Sequence, residues 1–441
     1  TRYIGVTGVQ TCALPISVLS VPTGEAVAAG NLLAIDDAGN SMSASSITTA
    51  VLQAVTATSM CACHLASGNT AIFWNAGSTD YRMMVIDKSG GTVLASTSVA
   101  TGVNSDIFLA AYLVSGNIAI VYRQVGTNYP VFKIVGQNGL VGVPETVIES
   151  SASSGQIKCC ALTGGGFAVT YNLATNNRYA VYANNGTSVL APTNNVTGGQ
   201  SMVAICPTAA GGFVALAGIT SLTGGIYNGA GTLVSTCALN IPVQINAGIA
   251  SRSGSVVGAG RQGGTPFYGP TLHLASDTAN STINSPDAAS NAYIRVAFED
   301  PLAELTTLGM SYVTALGNGL YMATYCAAVS SGEYPRYVIF SADGQVEKTG
   351  ILFMETTYSG GAPVYVIPKD INGFSLIWLA ANRNIKFAQV KSGKVVGVSL
   401  GAVGSTHQYL SVGEVTLASG NMLNVGNSKV NYSRQGARVV I

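Results

Sequence analysis

Short runs of alternating apolar and polar residues, each preceded by a turn of small residues, recur along the chain. Examples are SGNTAIFW from Ser67, SGNIAIVY from Ser115 and GGGFAVTY from Gly164. Alternation of this kind places every second side chain on one face, which predicts half-buried β-strands. Helical periodicity is hard to find anywhere, so the pattern predicts an all-β chain.

Seven copies of this string organise the chain into a repeat of roughly 48 residues. The marker glycines of the seven copies are Gly68, Gly116, Gly165, Gly211, Gly254, Gly319 and Gly373. A period of about 40 to 50 residues is typical of a β-propeller. The fifth copy lacks the aromatic residue and precedes the longest gap, so six or eight blades remain open.

A second turn signal follows the marker glycine in most copies, after a β-rich run. These runs end at Gly91, Gly139, Gly186, Gly344 and Gly393. Asn-Gly and Asp-Gly pairs supply the positive φ that tight hairpin turns require. Each period therefore predicts four antiparallel strands, and the chain predicts a β-propeller of about seven four-stranded blades. A β-solenoid or a tandem sandwich array is the alternative, but closure into a ring better protects the sheet edges.

The propeller is expected to occupy residues 51–400, between an N-terminal β segment (17–50) and a C-terminal β segment (401–441). The two segments share a Gly-Glu pair followed by Gly-Asn and apolar residues. They either pair into a small flanking β module or donate a strand that closes the ring, and we favour the module. Residues 1–16 contain VTGVQTCALPI, which resembles a translated sequencing adapter. We expect this stretch to be an artefact and the natural start to lie upstream of Ser17.

The composition is unusual, with 48% hydrophobic residues, 9% charged residues and 53 glycines. About 25% charged residues is ordinary. Polar residues interrupt every apolar stretch before it reaches the roughly 18 residues of a spanning helix, so membrane insertion is not expected. The net charge is +1, without a cluster of basic residues, and nucleic-acid binding is not expected either.

The loops between the second and third strands of each blade carry the most distinctive side chains, and repeated topology places them at one end of the ring. The candidate ligand-binding residues are Tyr81, Arg82, Arg123, Tyr129, Asn177, Arg178, Tyr179, Tyr334, Arg336, Tyr337 and Arg383. A rim of Tyr, Arg and Asn suits glycan recognition, because aromatic faces stack on sugars and planar polar groups bind hydroxyls. The alternative, which we favour for Tyr and Arg, is that they form blade-to-blade hydrogen bonds.

Cysteine offers a candidate metal site, because Cys63, Cys160 and Cys206 each precede a marker glycine by five residues. With Cys61 and His64 nearby, a ring of thiolate ligands can be imagined. Ala111 occupies the same position in another copy, and free cysteine packs as a small apolar residue. We therefore expect an apolar packing position, without metal or cofactor.

The chain contains few residues that could act in acid-base catalysis. Its three histidines fall in different segments, and no Ser or Cys nucleophile motif accompanies them. Glu299 and Asp300 are adjacent, so on a strand they would point to opposite faces, and a turn is the better interpretation. No catalytic constellation is apparent, and we expect a protein that is not an enzyme.

The repeat resembles the propeller repeats of bacteriophage tail fibres and other virion-associated proteins. It lacks Trp-Asp strand endings, kelch Gly-Gly pairs and regular Asp-rich calcium loops. The resemblance implies a virion-surface or extracellular protein, a homo-oligomer in contact with other virion proteins, that recognises a host surface glycan or protein. Two alternatives remain: an extracellular glycosidase-like propeller enzyme, and a bacterial secreted adhesin or lectin.

Overall fold

A computed structural model of the chain describes residues 18–22, 32–35, 41–43, 45–53, 57–77, 79–173, 176–198, 202–218, 222–239, 248–252, 255–260, 271–276, 294–295, 307–308, 312–315, 320–329, 332–341, 346–351, 364–370, 373–392, 394–403 and 405–411. Every regular element in these ranges is a β-strand. No helix able to cross a membrane is found in this part of the chain. The all-β prediction is confirmed.

The chain divides into two compact units: Thr48–Gln389, and a flanking unit of Thr1–Ile47 with Val390–Ile441. The flanking unit contains one five-stranded antiparallel sheet in the order β1-β34-β33-β2-β3. Its strands are β1 (Val18–Pro22), β2 (Leu32–Ile35), β3 (Ser41–Ser43), β33 (Lys394–Val403) and β34 (Thr406–Ser411). Segments from both chain ends thus form a small β module, as predicted, and the sequence-based range 51–400 includes most of β33.

The larger unit contains seven antiparallel sheets, which we number as blades 1 to 7 in chain order. Blade 1 is β5 (Met60–His64), β6 (Thr70–Asn75), β7 (Asp80–Ile86) and β8 (Thr92–Thr101); blade 2 is β9 (Val103–Tyr112), β10 (Ile118–Gln124), β11 (Pro130–Val135) and β12 (Val141–Val147); blade 3 is β13 (Ser153–Ala161), β14 (Phe167–Leu173), β15 (Asn176–Tyr182) and β16 (Ser188–Gly198); blade 4 is β17 (Met202–Pro207), β18 (Phe213–Gly218), β19 (Leu222–Tyr227) and β20 (Leu233–Leu239).

The remaining blades complete the set. Blade 5 is β21 (Gly248–Arg252), β22 (Ser255–Gly260), β23 (Thr271–Ser276) and β24 (Ile294–Arg295); blade 6 is β25 (Thr307–Leu308), β26 (Tyr312–Ala315), β27 (Leu320–Val329), β28 (Gly332–Ser341) and β29 (Val346–Ile351); blade 7 is β30 (Tyr365–Asp370), β31 (Gly373–Leu379), β32 (Ile385–Ser392) and β4 (Ser45–Gln53). In blade 6 both β25 and β26 pair with β27. The other six sheets have four described strands each.

The seven sheets form a closed ring. Successive blades contact each other through their first full strands, in the order β5, β9, β13, β17, β21, β26 and β30, and β30 in turn contacts β5. These strands are therefore innermost, and the later strands of each blade lie progressively farther out. The prediction of a β-propeller with about seven blades is confirmed.

The ring closes through a strand from the other end of the chain. In blade 7, β30, β31 and β32 precede the C-terminal segment, whereas the outermost strand is β4 from the N-terminal side. Hydrogen bonds between β32 and β4 thereby join the two ends of the propeller. Both alternatives for the terminal segments occur, since these segments form a module and also donate a closing strand.

Eight hairpin turns share one hydrogen-bond pattern, in which the first residue donates to the carbonyl of the fifth and the fourth donates to the carbonyl of the first. A glycine with φ between 78° and 100° occupies the fourth position in all eight: Gly68, Gly90, Gly116, Gly139, Gly165, Gly186, Gly211 and Gly231. Only glycine adopts this φ without steric cost. The first-turn markers are thus confirmed for blades 1 to 4, and in the second turn of blade 1 the positive φ belongs to Gly90 rather than Gly91.

Other predicted marker positions have different outcomes. Gly373 begins β31. Gly254, Gly319, Gly344 and Gly393 lie outside the described residues.

Aromatic side chains pack between neighbouring blades in a repeated arrangement. Between blades 2 and 3, the rings of Phe132, Phe167 and Tyr182 lie 4.6–5.3 Å apart, measured between centroids. Between blades 3 and 4, Tyr179, Phe213 and Tyr227 form a similar group with distances of 4.4–5.8 Å. Such rings bury large apolar areas and fix the positions of adjacent blades.

Candidate functional site

The loops between second and third strands lie at the end of the ring opposite the eight glycine turns, because consecutive antiparallel strands turn at alternate ends. In blades 1 to 3 the main chain at this end is joined across blades. Val103 donates to the Thr79 carbonyl at 3.3 Å, Val125 donates to the Gly102 carbonyl at 2.7 Å, and Ser153 donates to the Asn128 carbonyl at 2.9 Å. This loop face is therefore a connected surface rather than a set of separate loops.

Two of the predicted arginines contact the outermost strand of their own blade at a β-bulge. The pairing of β7 with β8 places two residues, Ala95 and Ser96, opposite the single residue Met84, and Arg82 Nη1 donates to Ser96 Oγ at 3.0 Å. The pairing of β15 with β16 does the same at Ala191 and Pro192, and Arg178 Nη2 donates to the Pro192 carbonyl at 2.8 Å. The two arginines thus stabilise equivalent bulges in blades 1 and 3.

Blade 2 has a third bulge at the same place, at Pro144 and Glu145. In blades 1 and 3 an arginine of the third strand donates to the bulge, whereas in blade 2 the charged residue, Glu145, lies in the bulge itself and accepts hydrogen bonds. Glu145 accepts from the Tyr122 hydroxyl at 2.5 Å and from Gln124 Nε2 at 2.8 Å. Bulges bend an edge strand away from regular pairing, so these three outer edges are poor templates for a further strand.

Arg178 also forms an ion pair with Glu149, a residue of the connection between blades 2 and 3. Arg178 Nη1 donates to Glu149 Oε1, and the Tyr171 hydroxyl donates to the other carboxylate oxygen at 2.6 Å. The side chains of Arg178 and Glu149 are 26% and 15% exposed. This network joins blade 3 to the preceding connection, as the blade-to-blade interpretation expects.

Burial raises the pKa of the Tyr122 and Tyr171 hydroxyls, and the hydrogen bonds to Glu145 and Glu149 raise it further. Both hydroxyls therefore remain protonated and act as hydrogen-bond donors. A phenol of this kind does not serve as a nucleophile, which requires the deprotonated form.

Three further candidates lie inside the blades. Tyr81 is fully buried, with its hydroxyl 3.2 Å from Ser59 Oγ. Asn177 is fully buried and accepts from Asn172 Nδ2 at 2.9 Å. Tyr179 is 5% exposed and donates to the Gly231 carbonyl of blade 4 at 3.1 Å. Tyr179 thus joins blades 3 and 4, whereas Asn177 bonds within its own blade, and all three side chains present almost no surface to a ligand.

Arg123 and Tyr129 are half-buried at the loop of blade 2. Arg123 Nη1 donates to the Ser153 carbonyl of blade 3 at 3.2 Å. Tyr129 packs against the hydrophobic core of blades 1, 2 and 7. Between them, Asn128 has φ 57° and accepts from Asn104 Nδ2 at 2.7 Å.

Blade 6 contributes three candidates whose backbone alone is described. Tyr334, Arg336 and Tyr337 lie on β28. Arg336 pairs with Tyr325 across the sheet, as Arg82 pairs with Trp74 and Arg178 with Tyr171. An arginine opposite an aromatic residue is therefore a register position common to blades 1, 3 and 6.

Arg383 occupies an exceptional backbone conformation in blade 7. The turn Ala380–Asn384 between β31 and β32 has the same hydrogen bonds as the eight glycine turns, with Arg383 at the fourth position. Its φ is 65°. A side chain at this φ costs roughly 1–2 kcal/mol relative to a right-handed conformation. Arg383 and Asn128 are the two non-glycine residues with positive φ among those described, and both lie in second-to-third-strand loops.

The inner strands β5, β13 and β17 carry five of the eight cysteines, together with Lys158. Cys61, Cys160 and Cys206 are buried and Cys63 and Cys159 half-buried, all as free thiols. Burial raises the pKa of Cys63 to about 12 and lowers the pKa of Lys158 to about 8. Cys160 and Cys206 pack in one hydrophobic cluster with Leu162 and Ile205. In the described part of the chain no three His, Cys, Asp or Glu side chains could together hold a metal ion.

Sequence reasoning missed the two carboxylates that organise this face, Glu145 and Glu149. Their rarity could have indicated them, because the chain has only 19 acidic residues. A charged side chain that becomes buried needs a partner, so each isolated carboxylate was a candidate for an ion pair or hydrogen bond. Glu299 and Asp300 lie outside the described residues.

Comparisons with known proteins give fold-level similarity only. No protein-family model matches the chain, and no curated protein matches it significantly. Among solved structures, the chain is similar to the WD40 domain of Neurospora crassa Pan2 (TM-score 0.48, 9% identity, 80% of this chain and 98% of that one). It is also similar to the Dos1 propeller, with a TM-score of 0.44 and 8% identity over 82% of this chain and 82% of that one. A mutant of the Aleuria aurantia lectin in complex with Fucalpha1-6GlcNAc is similar as well, with a TM-score of 0.41 and 8% identity over 80% of this chain and 99% of that one.

Proposed function

We propose that this chain is a binding protein rather than an enzyme, and that it recognises a host surface glycan or protein through the second-to-third-strand loops of its propeller. A virion-surface or extracellular location, in a homo-oligomer that contacts other virion proteins, is part of the proposal. The support for the virion location is the resemblance of the repeat to those of tail fibres.

The observation that carries the binding proposal is the conformation of Arg383. Eight turns with the same hydrogen bonds have glycine at the position where this turn has arginine. A residue held in an unfavourable conformation lowers stability, and such residues cluster at sites that bind ligands. A strained, half-buried arginine beside the exposed Asn382 is therefore the leading candidate contact of the loop face.

The loop face also has the rigidity that binding favours. The backbone bonds that join blades 1 to 3 and the side-chain network around Glu149 hold its loops in place before any ligand arrives. Preorganisation of this kind reduces the entropy that binding must overcome.

The test is a binding screen against glycans and whole bacterial cells, with analysis of released sugars, using wild type, Arg383→Gly and Lys88→Ala. Lys88 is exposed in a glycine turn at the opposite end of the ring, so its variant controls for the loss of one positive charge. We expect Arg383→Gly to raise the Tm and to lose binding, while Lys88→Ala binds as wild type does. Equal binding by wild type and Arg383→Gly would remove this face as the site, and released sugar would favour the glycosidase-like alternative.

A further inference from the structure

Exposed aliphatic side chains concentrate on one part of the propeller surface, the outer rim of blades 1 to 4. Ten large hydrophobic residues are exposed among those that the structure describes, and six of them follow a turn glycine by one to three residues, where an outermost strand begins. These six are 43–69% exposed. Single exposed apolar residues are ordinary, whereas a contiguous group marks an interaction surface. We call the six the aliphatic belt: Val93, Leu140, Val141, Val189, Leu233 and Val234.

A β-bulge presents three of these valines. On the outermost strand of blade 1, Thr92 and Leu94 pair with consecutive residues of β7, so Val93 between them is an extra residue. The same irregularity makes Val189 an extra residue in blade 3 and Val234 one in blade 4. An extra residue of this kind bends the strand and re-aims a side chain. The bulge thus recurs at an equivalent place in three blades and exposes a valine each time.

The belt continues from blade to blade, because neighbouring blades overlap at this edge. Leu94, beside Val93, is half-buried, and a Cβ built at Gly139 of blade 2 would lie 3.5 Å from its Cδ2 atom. Val143 and Gly186 stand in the same relation between blades 2 and 3, at 3.2 Å, and the contact recurs between blades 3 and 4. Each outermost strand therefore supports the glycine turn of the next blade, and the belt follows this overlapping edge along blades 1 to 4.

The strands that carry the belt are almost without charge. β8, β16 and β20 contain no Asp, Glu, Lys or Arg. β12 contains one such residue, Glu145, which accepts hydrogen bonds from Tyr122 and Gln124. The turns before these strands add one pair of opposite sign, Asp87 and Lys88. Edge strands are usually protected by charged side chains. Here the bulges oppose pairing with a further strand, and the uncharged surface is suited to packing by side chains.

A second copy of this chain is the partner whose chemistry fits the belt. A partner with the ordinary content of about 25% charged residues would bury charges against groups that offer no counter-charge, which is costly. This chain has 9% charged residues, and its own rim presents aliphatic and hydroxyl groups. The rim is also large enough. Its four strands have 10, 7, 11 and 7 residues, and each partner in a stable interface contributes about 20–30 residues.

We propose that two copies of this chain associate through their aliphatic belts, in a symmetric contact in which the same valines of each copy face the other. The proposal rests on the homo-oligomer of the function proposed above and assigns a surface to it. A two-fold contact closes on itself, because each copy uses the same patch. The belt lies next to the glycine turns, at the end of the ring opposite the loop face, so the association leaves the loop face open.

The test compares the full wild-type chain with two double variants by sedimentation equilibrium over a range of protein concentrations. Val93→Lys/Val189→Lys places two charges in the belt, and the matched control Val114→Lys/Val125→Lys places two charges at exposed valines outside the outermost strands. We expect a wild-type dimer that the belt variant weakens about a hundredfold or more, because a lysine buried in the contact has no counter-charge. The control should stay dimeric. The wild-type dimer should also persist in about 1 M NaCl, which screens charged contacts.

Fluorescence of the buried Trp74 and Trp378 shows whether each variant is folded. If the lysine variant does not fold, Val93→Thr/Val189→Thr keeps the β-branched shape and should weaken the dimer about tenfold or more. A dimer of unchanged stability in a folded belt variant would overturn the proposal and leave the homo-oligomer to another surface. Equal weakening in the belt variant and the control would overturn it too, since added charge anywhere would then suffice.

A wild type that stays monomeric would overturn both this proposal and the homo-oligomer of the proposed function. It would not bear on ligand binding by the loop face, which Arg383→Gly tests separately. Vesicles of phosphatidylcholine distinguish the remaining occupant of an uncharged apolar rim, a lipid surface. Binding of a monomeric wild type to these vesicles, lost in Val93→Lys/Val189→Lys, would assign the belt to lipid and refute self-association.

Discussion

Replacement of Arg178 by methionine tests whether this predicted ligand-binding residue is instead a structural element of blade 3. Methionine keeps much of the apolar stem and removes the guanidinium, which bonds Glu149 and the Pro192 carbonyl. A charge-assisted hydrogen bond contributes about 1.5–3 kcal/mol and a neutral one about 1 kcal/mol. Since the two charged side chains are 26% and 15% exposed, water replaces part of the loss. We expect Arg178→Met to lower the free energy of unfolding by about 2–3 kcal/mol.

Arg82→Met is the matched control, because Arg82 occupies the equivalent register position in blade 1 and also contacts a bulge. Its ion pair with Asp80 is more exposed, at 40% and 34%, and exposed pairs contribute about 0–1 kcal/mol. Urea unfolding can be followed by fluorescence of the two tryptophans, Trp74 and Trp378, which are both buried.

The double-mutant cycle of Arg178→Met with Glu149→Gln isolates the interaction between the two side chains. We expect a coupling energy of about 1–2 kcal/mol, seen as shifts in the urea midpoint at constant slope. If Arg178→Met costs no more than Arg82→Met, or if the cycle shows no coupling, the ion pair is not what holds blade 3 to its neighbour and the structural assignment of Arg178 is wrong.

Three other predictions follow from single positions. Gly212→Ala should lower the free energy of unfolding by about 3 kcal/mol or prevent folding, because the alanine Cβ would lie 1.9 Å from the Tyr227 carbonyl oxygen. The control is Gly164→Ala, whose Cβ would meet nothing within 4 Å. Its free energy of unfolding in urea should stay within about 0.5 kcal/mol of wild type. Lys158 has a folded pKa of about 8, below its unfolded value, so at this group the unfolded state binds more protons between pH 8 and the unfolded pKa, and the Lys158 contribution to stability rises with pH across that window. The buried thiols, whose pKa is raised, contribute with the opposite sign. Stability should therefore fall more steeply with pH in Lys158→Met than in Lys133→Met, and equal slopes in the two variants would contradict the assignment. Burial raises the pKa of Cys63 to about 12, so an aromatic disulfide reagent at pH 8 should label it only as the protein unfolds, and rapid native-state labelling would show that the thiol is accessible.

The strand order of the propeller could be predicted because its signals are local. Gly116 and Gly139 lie in two turns of one blade, and the apolar strand Ile118–Gln124 lies between them, buried on both faces over its first five residues rather than half-buried as the alternation predicted. Each of these features depends on residues close in the chain, namely a positive φ and an alternation of apolar side chains. Repetition then implied the ring, since a four-stranded sheet buries its faces against copies of itself.

The candidate site was harder to predict, because burial and partners depend on residues far apart in the chain. Tyr179 reads as an exposed aromatic beside a polar loop, yet its hydroxyl reaches the Gly231 carbonyl, 52 residues onward. Arg178 meets Glu149 across the connection from the preceding blade. Whether a repeated polar residue points outward or joins two blades is a property of the packed ring.

The amino-acid sequence alone determines the period, the turns and the antiparallel order of the strands, since these follow from backbone conformations that single residues permit or forbid. Only the tertiary structure decides which polar groups are satisfied. Arg383 and Tyr171 illustrate this, because one adopts a glycine conformation and the hydroxyl of the other bonds Glu149 from the connection to the preceding blade. Both features arise where long-range packing overrides local preference, and hydrogen-bond satisfaction in a folded core depends on three-dimensional neighbours that sequence spacing does not reveal.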